Sequence, residues 1–195
     1  MELFSDPVLL FSLLLKLNYR QIKKCRVNNA SNGEITKILN DNYFWQQKAA
    51  QDYNLQSHVN RNWKSLYECA YELTGQQVDK LLYNCIVYKK KELAEIMILE
   101  GDQNLSLKHV DWCIEFKTKD VLTLVLDQIQ LSEEMLHYYL LKYPCIEVDL
   151  LKPLIKNIEL VDDYCLRDAI LSYKKAHNKP AQRYLLNCIN ANQIL

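Results

Sequence analysis

Apolar residues recur along this chain at three- and four-residue spacing, in segments of about 10 to 13 residues separated by Asn, Asp, Ser or Gly. That is the pattern of short amphipathic helices. Glycine is scarce: only Gly33, Gly75 and Gly101 occur, so the turns that hairpins need and the loops that cradle phosphates are missing. An all-α fold is expected. The first helix opens at Pro7, a residue suited to the first helical position, with Asp6 as N-cap, and runs to about residue 16. A second covers residues 20–27. The stretch Asn28-Asn29-Ala30-Ser31-Asn32-Gly33 reads as loop, followed by a short helix over 34–39. Asn40 or Asp41 can cap a helix through Tyr53, and Asn62 another over 63–74, stopped by Gly75 as a left-handed C-terminal residue. Gly75 marks the expected boundary between residues 1–75 and 76–195.

Beyond Gly75 the pattern repeats. Four units can be superposed, each a helix, a turn, a second helix and a polar link. Leu82, Val110, Leu136 and Leu166, at intervals of 28, 26 and 30 residues, anchor the first helices, each followed four residues later by Ile86, Ile114, Leu140 or Ile170. Ser106, Ser132 and Asp162 stand as matching caps. Among the second helices, Glu92-Leu93-Ala94-Glu95-Ile96-Met97 corresponds to Asp120-Val121-Leu122-Thr123-Leu124-Val125. In the last two, Pro153 and Pro180 are expected in first turns, so that both helices begin late. A helix pair of this size cannot bury its apolar face alone, and stacking such pairs implies a short solenoid.

Composition narrows the function. The 195 residues carry 24 basic and 24 acidic side chains, a neutral balance that argues against a nucleic-acid partner, whose phosphates require clustered Lys and Arg. Lys89-Lys90-Lys91 and the two shorter lysine pairs read as solvated helix faces or termini. Seven cysteines lie roughly 16 to 44 residues apart without a C-x-x-C pair, and the four histidines lack metal-ligand spacing, so neither zinc nor any other cofactor is expected. The odd cysteine count fits reduced thiols and an intracellular, cytoplasmic setting. The apolar run over residues 8–15 is too short to span a bilayer, and acidic rather than basic residues precede it, so neither a membrane span nor a secretory signal is expected. The adjacent carboxylates Glu133-Glu134 and Asp162-Asp163 fall at helix starts, where they favour the macrodipole. No nucleophile has a recognisable base nearby, so no catalysis is expected.

Two family resemblances follow. Asp6-Pro7-Val8-Leu9-Leu10 opening an apolar helix, then Leu17, Ile22-Lys23-Lys24-Cys25-Arg26-Val27-Asn28, Asn42-Tyr43-Phe44-Trp45 and Asp52-Tyr53, resemble an F-box over roughly residues 5–68. Asn62-Trp63-Lys64-Ser65-Leu66-Tyr67 resembles the segment that often follows one. Residues 76–192 resemble degenerate ankyrin repeats, best over the stretch from Lys91 to Asn104. They lack the family's Thr-Pro-Leu-His opening, and three of the four units lack the turn glycine. The combination resembles an arrangement common in large DNA viruses of single-celled eukaryotes, which would place the protein in host cytoplasm or nucleus.

These resemblances imply an F-box-like helical module packed on a short ankyrin-like helical-hairpin solenoid. The function they imply is that of a substrate-recruiting adaptor of a cullin-RING ubiquitin ligase. Pro7, Leu10, Leu14, Leu17 and Ile22 would form an uncovered apolar face for the ligase's small adaptor subunit. Trp112, Tyr138 and Tyr139, on first helices of the repeats, would hold an unknown client protein. Phe44, Trp45, Tyr53, Trp63 and Tyr67 read as core rather than as a peptide-binding surface. The competing expectation is a structural or virion-associated helical-repeat protein without any role in ubiquitination, in which Pro7, Leu10 and Leu14 are covered within the chain or in a homodimer.

Overall fold

A computed structural model describes residues 6–29, 32–57, 59–74, 80–101, 104–158 and 161–192. Among these the regular structure is entirely helical, and no helix is long and apolar enough to cross a membrane. The contacts divide the chain into two compact units. One takes in the described residues up to Cys85 together with residues 92–101; the other holds residues 86–91 and those from Asn104 onward. The expected boundary residue, Gly75, lies outside the described residues.

The first unit begins with α1 (Pro7–Lys16), α2 (Tyr19–Asn28), α3 (Gly33–Asn40), α4 (Asn42–Tyr53) and α5 (Trp63–Thr74). Caps fix where these start. Asp6 accepts from the backbone N–H of Val8 and Leu9, Asn18 from Gln21, Asn32 from Glu34 and Ile35, and Asp41 from Tyr43, each satisfying donors that an α-helix leaves open at its N-terminus. Asn62 plays the same part for α5, accepting from Ser65. The core is aromatic: Phe44, Trp45, Tyr53, Trp63 and Tyr67 are all buried. Trp45 donates its indole N–H to the Leu39 carbonyl at 2.9 Å, and its ring lies 5.3 Å from that of Tyr67. Helix α4 is the hub, packing against α1, α3 and α5. Its Lys48 is buried, an arrangement tolerated only because its ammonium donates to the Leu15 carbonyl at 2.6 Å and to Asp52 at 2.9 Å. Asp52 in turn accepts from the Tyr67 hydroxyl at 2.7 Å.

Helix α6 (Leu81–Val87) crosses the division, and most of α7 (Lys91–Leu99) belongs to the first unit. There Arg61 lies 3.4 Å from Glu92 and 3.9 Å from Glu95 and Glu100, and Ser57 donates to Glu100. Gly101, just past α7, is required by sterics: a Cβ there would sit 2.7 Å from the Met97 carbonyl oxygen.

The second unit contains α8 (Leu107–Glu115), α9 (Lys119–Gln128), α10 (Glu133–Lys142), α11 (Val148–Lys156), α12 (Asp163–Lys175) and α13 (Lys179–Asn192). Helix α8 packs on α9 and α12 on α13; α9 also packs on α11, α11 on α13, and α10 on α12. First and second helices therefore form two rows, with the core between them. The anchors Val110, Leu136 and Leu166 are fully buried. Within two hairpins the turn is a left-handed residue that is not glycine, Lys117 at φ 54° and His177 at φ 57°. At each, two backbone hydrogen bonds close the helix end, Lys117 to Ile114 with Thr118 to Cys113, and His177 to Lys174 with Asn178 to Tyr173. Asparagines tie neighbouring hairpins: Asn157 donates to the carbonyls of Leu126 and Ile129 and accepts from the Leu131 N–H. Asn178 donates to Pro144 and Ile146.

One sequence expectation is corrected here. Pro153 is not in a first turn but inside α11, which starts five residues earlier at Val148, with Glu147 at the N-cap position making no side-chain cap bond. Pro180, by contrast, is the second residue of α13. Position 153 therefore lacks the N–H that the Asp149 carbonyl would otherwise accept.

Candidate protein-binding surfaces

Helix α1 is apolar nearly all round, so both its faces have consequences. Leu10 and Leu14, four residues apart, stack on the inward face and are 2% and 3% exposed. Phe11 reaches Tyr43 at 6.0 Å and Phe44, edge-on, at 5.4 Å. A quarter turn away, Leu9 and Leu13 are 39% and 42% exposed, and Val8 is 74% exposed beside the exposed Pro7. The uncovered face expected at Leu10, Leu14 and Ile22 is thus corrected: these three are core, Leu17 is half-buried, and of the expected set only Pro7 is open. The Leu10–Leu14 row faces the interior of the unit, where α1 packs on α3 and α4. The row Leu9–Leu13, equally apolar, is left to solvent.

The second surface lies on α8, α10 and α12. Tyr138 is 56% exposed, Trp112 is half-buried, and Tyr139 is covered, with its hydroxyl donating to the Leu107 carbonyl at 3.0 Å. Tyr139 therefore belongs to the core and not to a client surface, because its position four residues before Tyr143 faces it toward α8. Its hydroxyl is held above the usual tyrosine range, chiefly by burial. Lys142 organises the open part: its ammonium lies 2.6 Å from Asp111 and 5.3 Å from the Tyr138 ring centroid. Asp111 also accepts from the Tyr143 hydroxyl at 2.8 Å, and burial followed by that bond pushes Tyr143 up to about 12. On α8, Lys108 sits 4.7 Å above Trp112. Sequence reasoning passed over further exposed apolar side chains in the same row of helices: Met135, Leu141, Tyr164 and Leu171. Their signal was present as apolar residues outside the anchor positions, but it is weak, because single exposed apolar residues are common.

No group of three or more His, Cys, Asp or Glu side chains among the described residues could hold a metal ion. Burial pushes the Cys113 and Cys165 thiols up to about 11, away from nucleophilic thiolate. His109 is pulled down, first by burial. His58 lies outside the described residues. No family model, curated protein or solved structure matches this chain.

Proposed function

We propose that this protein is a protein–protein interaction adaptor, an F-box-type subunit that recruits a client to a cullin-RING ubiquitin ligase. The observation that carries this reading is the outer face of α1, where Val8, Leu9 and Leu13 remain open beside Pro7 although the helix already fills the core with its other side. A helix that needed only to be anchored would carry polar residues there. Contiguous exposed apolar side chains are the usual mark of a partner site. The F-box resemblance names the ligase's small adaptor subunit as that partner, and the ankyrin-like resemblance gives Tyr138 and Trp112 to the client. The mechanism is proximity: the chain holds a target near a conjugating enzyme and raises its effective concentration.

The burial of Leu10 and Leu14 favours a second reading, a structural or virion-associated helical-repeat protein in which α1 caps its own unit. Co-purification from eukaryotic cells separates the two. Because Leu10 and Leu14 are core, the informative variant is Leu9→Asp with Leu13→Asp. Adaptor subunit recovered with wild type and lost with this folded variant supports recruitment; adaptor absent from both samples supports the structural reading.

A further inference from the structure

Inside the first unit, where the end of α1 and the start of α2 meet α4 and α5, there is a half-open cavity of about 270 Å³. It lies just under the usual size of small-ligand sites, about 300–1,000 Å³. Its lining is unusually polar for the interior of a helical unit. Lys48, 2% exposed, lines it with an ammonium that has three N–H groups and meets two acceptor groups, the Leu15 carbonyl and the Asp52 carboxylate. Among the described residues of the lining Asp52 is the only acid, and it already accepts from Lys48 and from the Tyr67 hydroxyl.

The remaining polar side chains of the lining are neutral or basic: Lys16, the amides of Asn18 and Gln51, and the phenols of Tyr19, Tyr53 and Tyr71, of which Tyr19 already donates to Glu68. Lys16 stands at the rim. Asn18 has its amide NH2, since its oxygen is committed to the Gln21 N–H. Tyr71 accepts from the Arg20 guanidinium at 3.1 Å, which leaves its own proton to give. With two ammonium groups against a single, already hydrogen-bonded carboxylate, the lining carries an excess of positive charge, and Asn18 and Tyr71 add N–H and O–H groups to it. We infer that this cavity binds a small oxyanion, a phosphate or carboxylate group, with Lys48 at its floor and Lys16, Asn18 and Tyr71 around it.

The experiment is a ¹H–¹⁵N NMR titration of the full chain with inorganic phosphate and, separately, with succinate, each against sodium chloride at matched ionic strength. Saturable shifts confined to amides lining the cavity are expected. Lys16→Ala and Tyr71→Phe, both on side chains that do not carry the core, should weaken binding about tenfold each, the loss of one good hydrogen bond to a charged group. Saturation by phosphate alone assigns a phosphorylated ligand, and by succinate alone a carboxylate. Shifts that do not saturate, that match the chloride control, or that persist unchanged in both variants overturn the inference.

Discussion

Several side chains hold positions whose energetic consequences can be measured one at a time. Tyr173 is fully buried on α12, and its hydroxyl has no hydrogen-bond partner among the described residues. An unsatisfied buried hydroxyl costs about 1–3 kcal/mol, so Tyr173→Phe should leave stability unchanged or raise it by about 1 kcal/mol; a loss of that size in urea unfolding would reveal a partner for the hydroxyl. His177 occupies the left-handed region at φ 57°, where an L-residue pays about 1–2 kcal/mol and glycine does not. After subtracting glycine's greater unfolded-state entropy, His177→Gly should stabilise by about 0.5 kcal/mol, visible as a higher Tm. The opposite sign is expected for Asp52→Ala, which strips Lys48 of its counter-charge. Removing one member of a buried pair costs about 3–5 kcal/mol, and because Asp52 is itself a quarter exposed the lower end applies.

At the scale of elements, helix starts were the most legible feature of the sequence, because a cap is a local event: Asp6, Asp41, Asn62, Ser132 and Asp162 all stand where the Asx and Ser pattern put them. What was hidden is tertiary. No rule of spacing distinguishes the Leu10–Leu14 row of α1 from the Leu9–Leu13 row, since both are apolar; the packing of α1 on α3 and α4 decides between them. The turns at Lys117 and His177 escaped notice because the expected glycine is absent, and a pair of backbone hydrogen bonds closes each helix end without it. Pro153 misled because its preference for first turns is not absolute: α11 already begins at Val148 and carries the proline in its interior. Pro153→Ala should restore a hydrogen bond to Asp149 and stabilise the protein by about 1–3 kcal/mol, with the same denaturant m-value. Asn157, just past α11, is structural, and Asn157→Ala, which breaks three hydrogen bonds between hairpins, should cost about 2–3 kcal/mol.

For the molecule as a whole, the composition was a sound guide to class: scarce glycine and helical periodicity correspond to thirteen helices among the described residues. The ion pairs Lys91–Asp120, Lys117–Glu147 and Lys119–Asp149 recur at nearly the repeat interval, but all six side chains are more than half exposed, so they contribute little to stability. Hydrophobic burial between the two rows of helices carries the second unit, as the aromatic cluster carries the first. What neither of these cores absorbs is the Val8, Leu9 and Leu13 face. The measurement that tests its role most directly is isothermal titration calorimetry of the purified protein with the purified adaptor subunit of a cullin-RING ligase. The account predicts saturable binding by wild type, weakened at least thirtyfold, about 2 kcal/mol, in Leu9→Asp with Leu13→Asp while the helical circular dichroism is unchanged. Absence of binding by the wild type, or equal affinity in the variant, would contradict it.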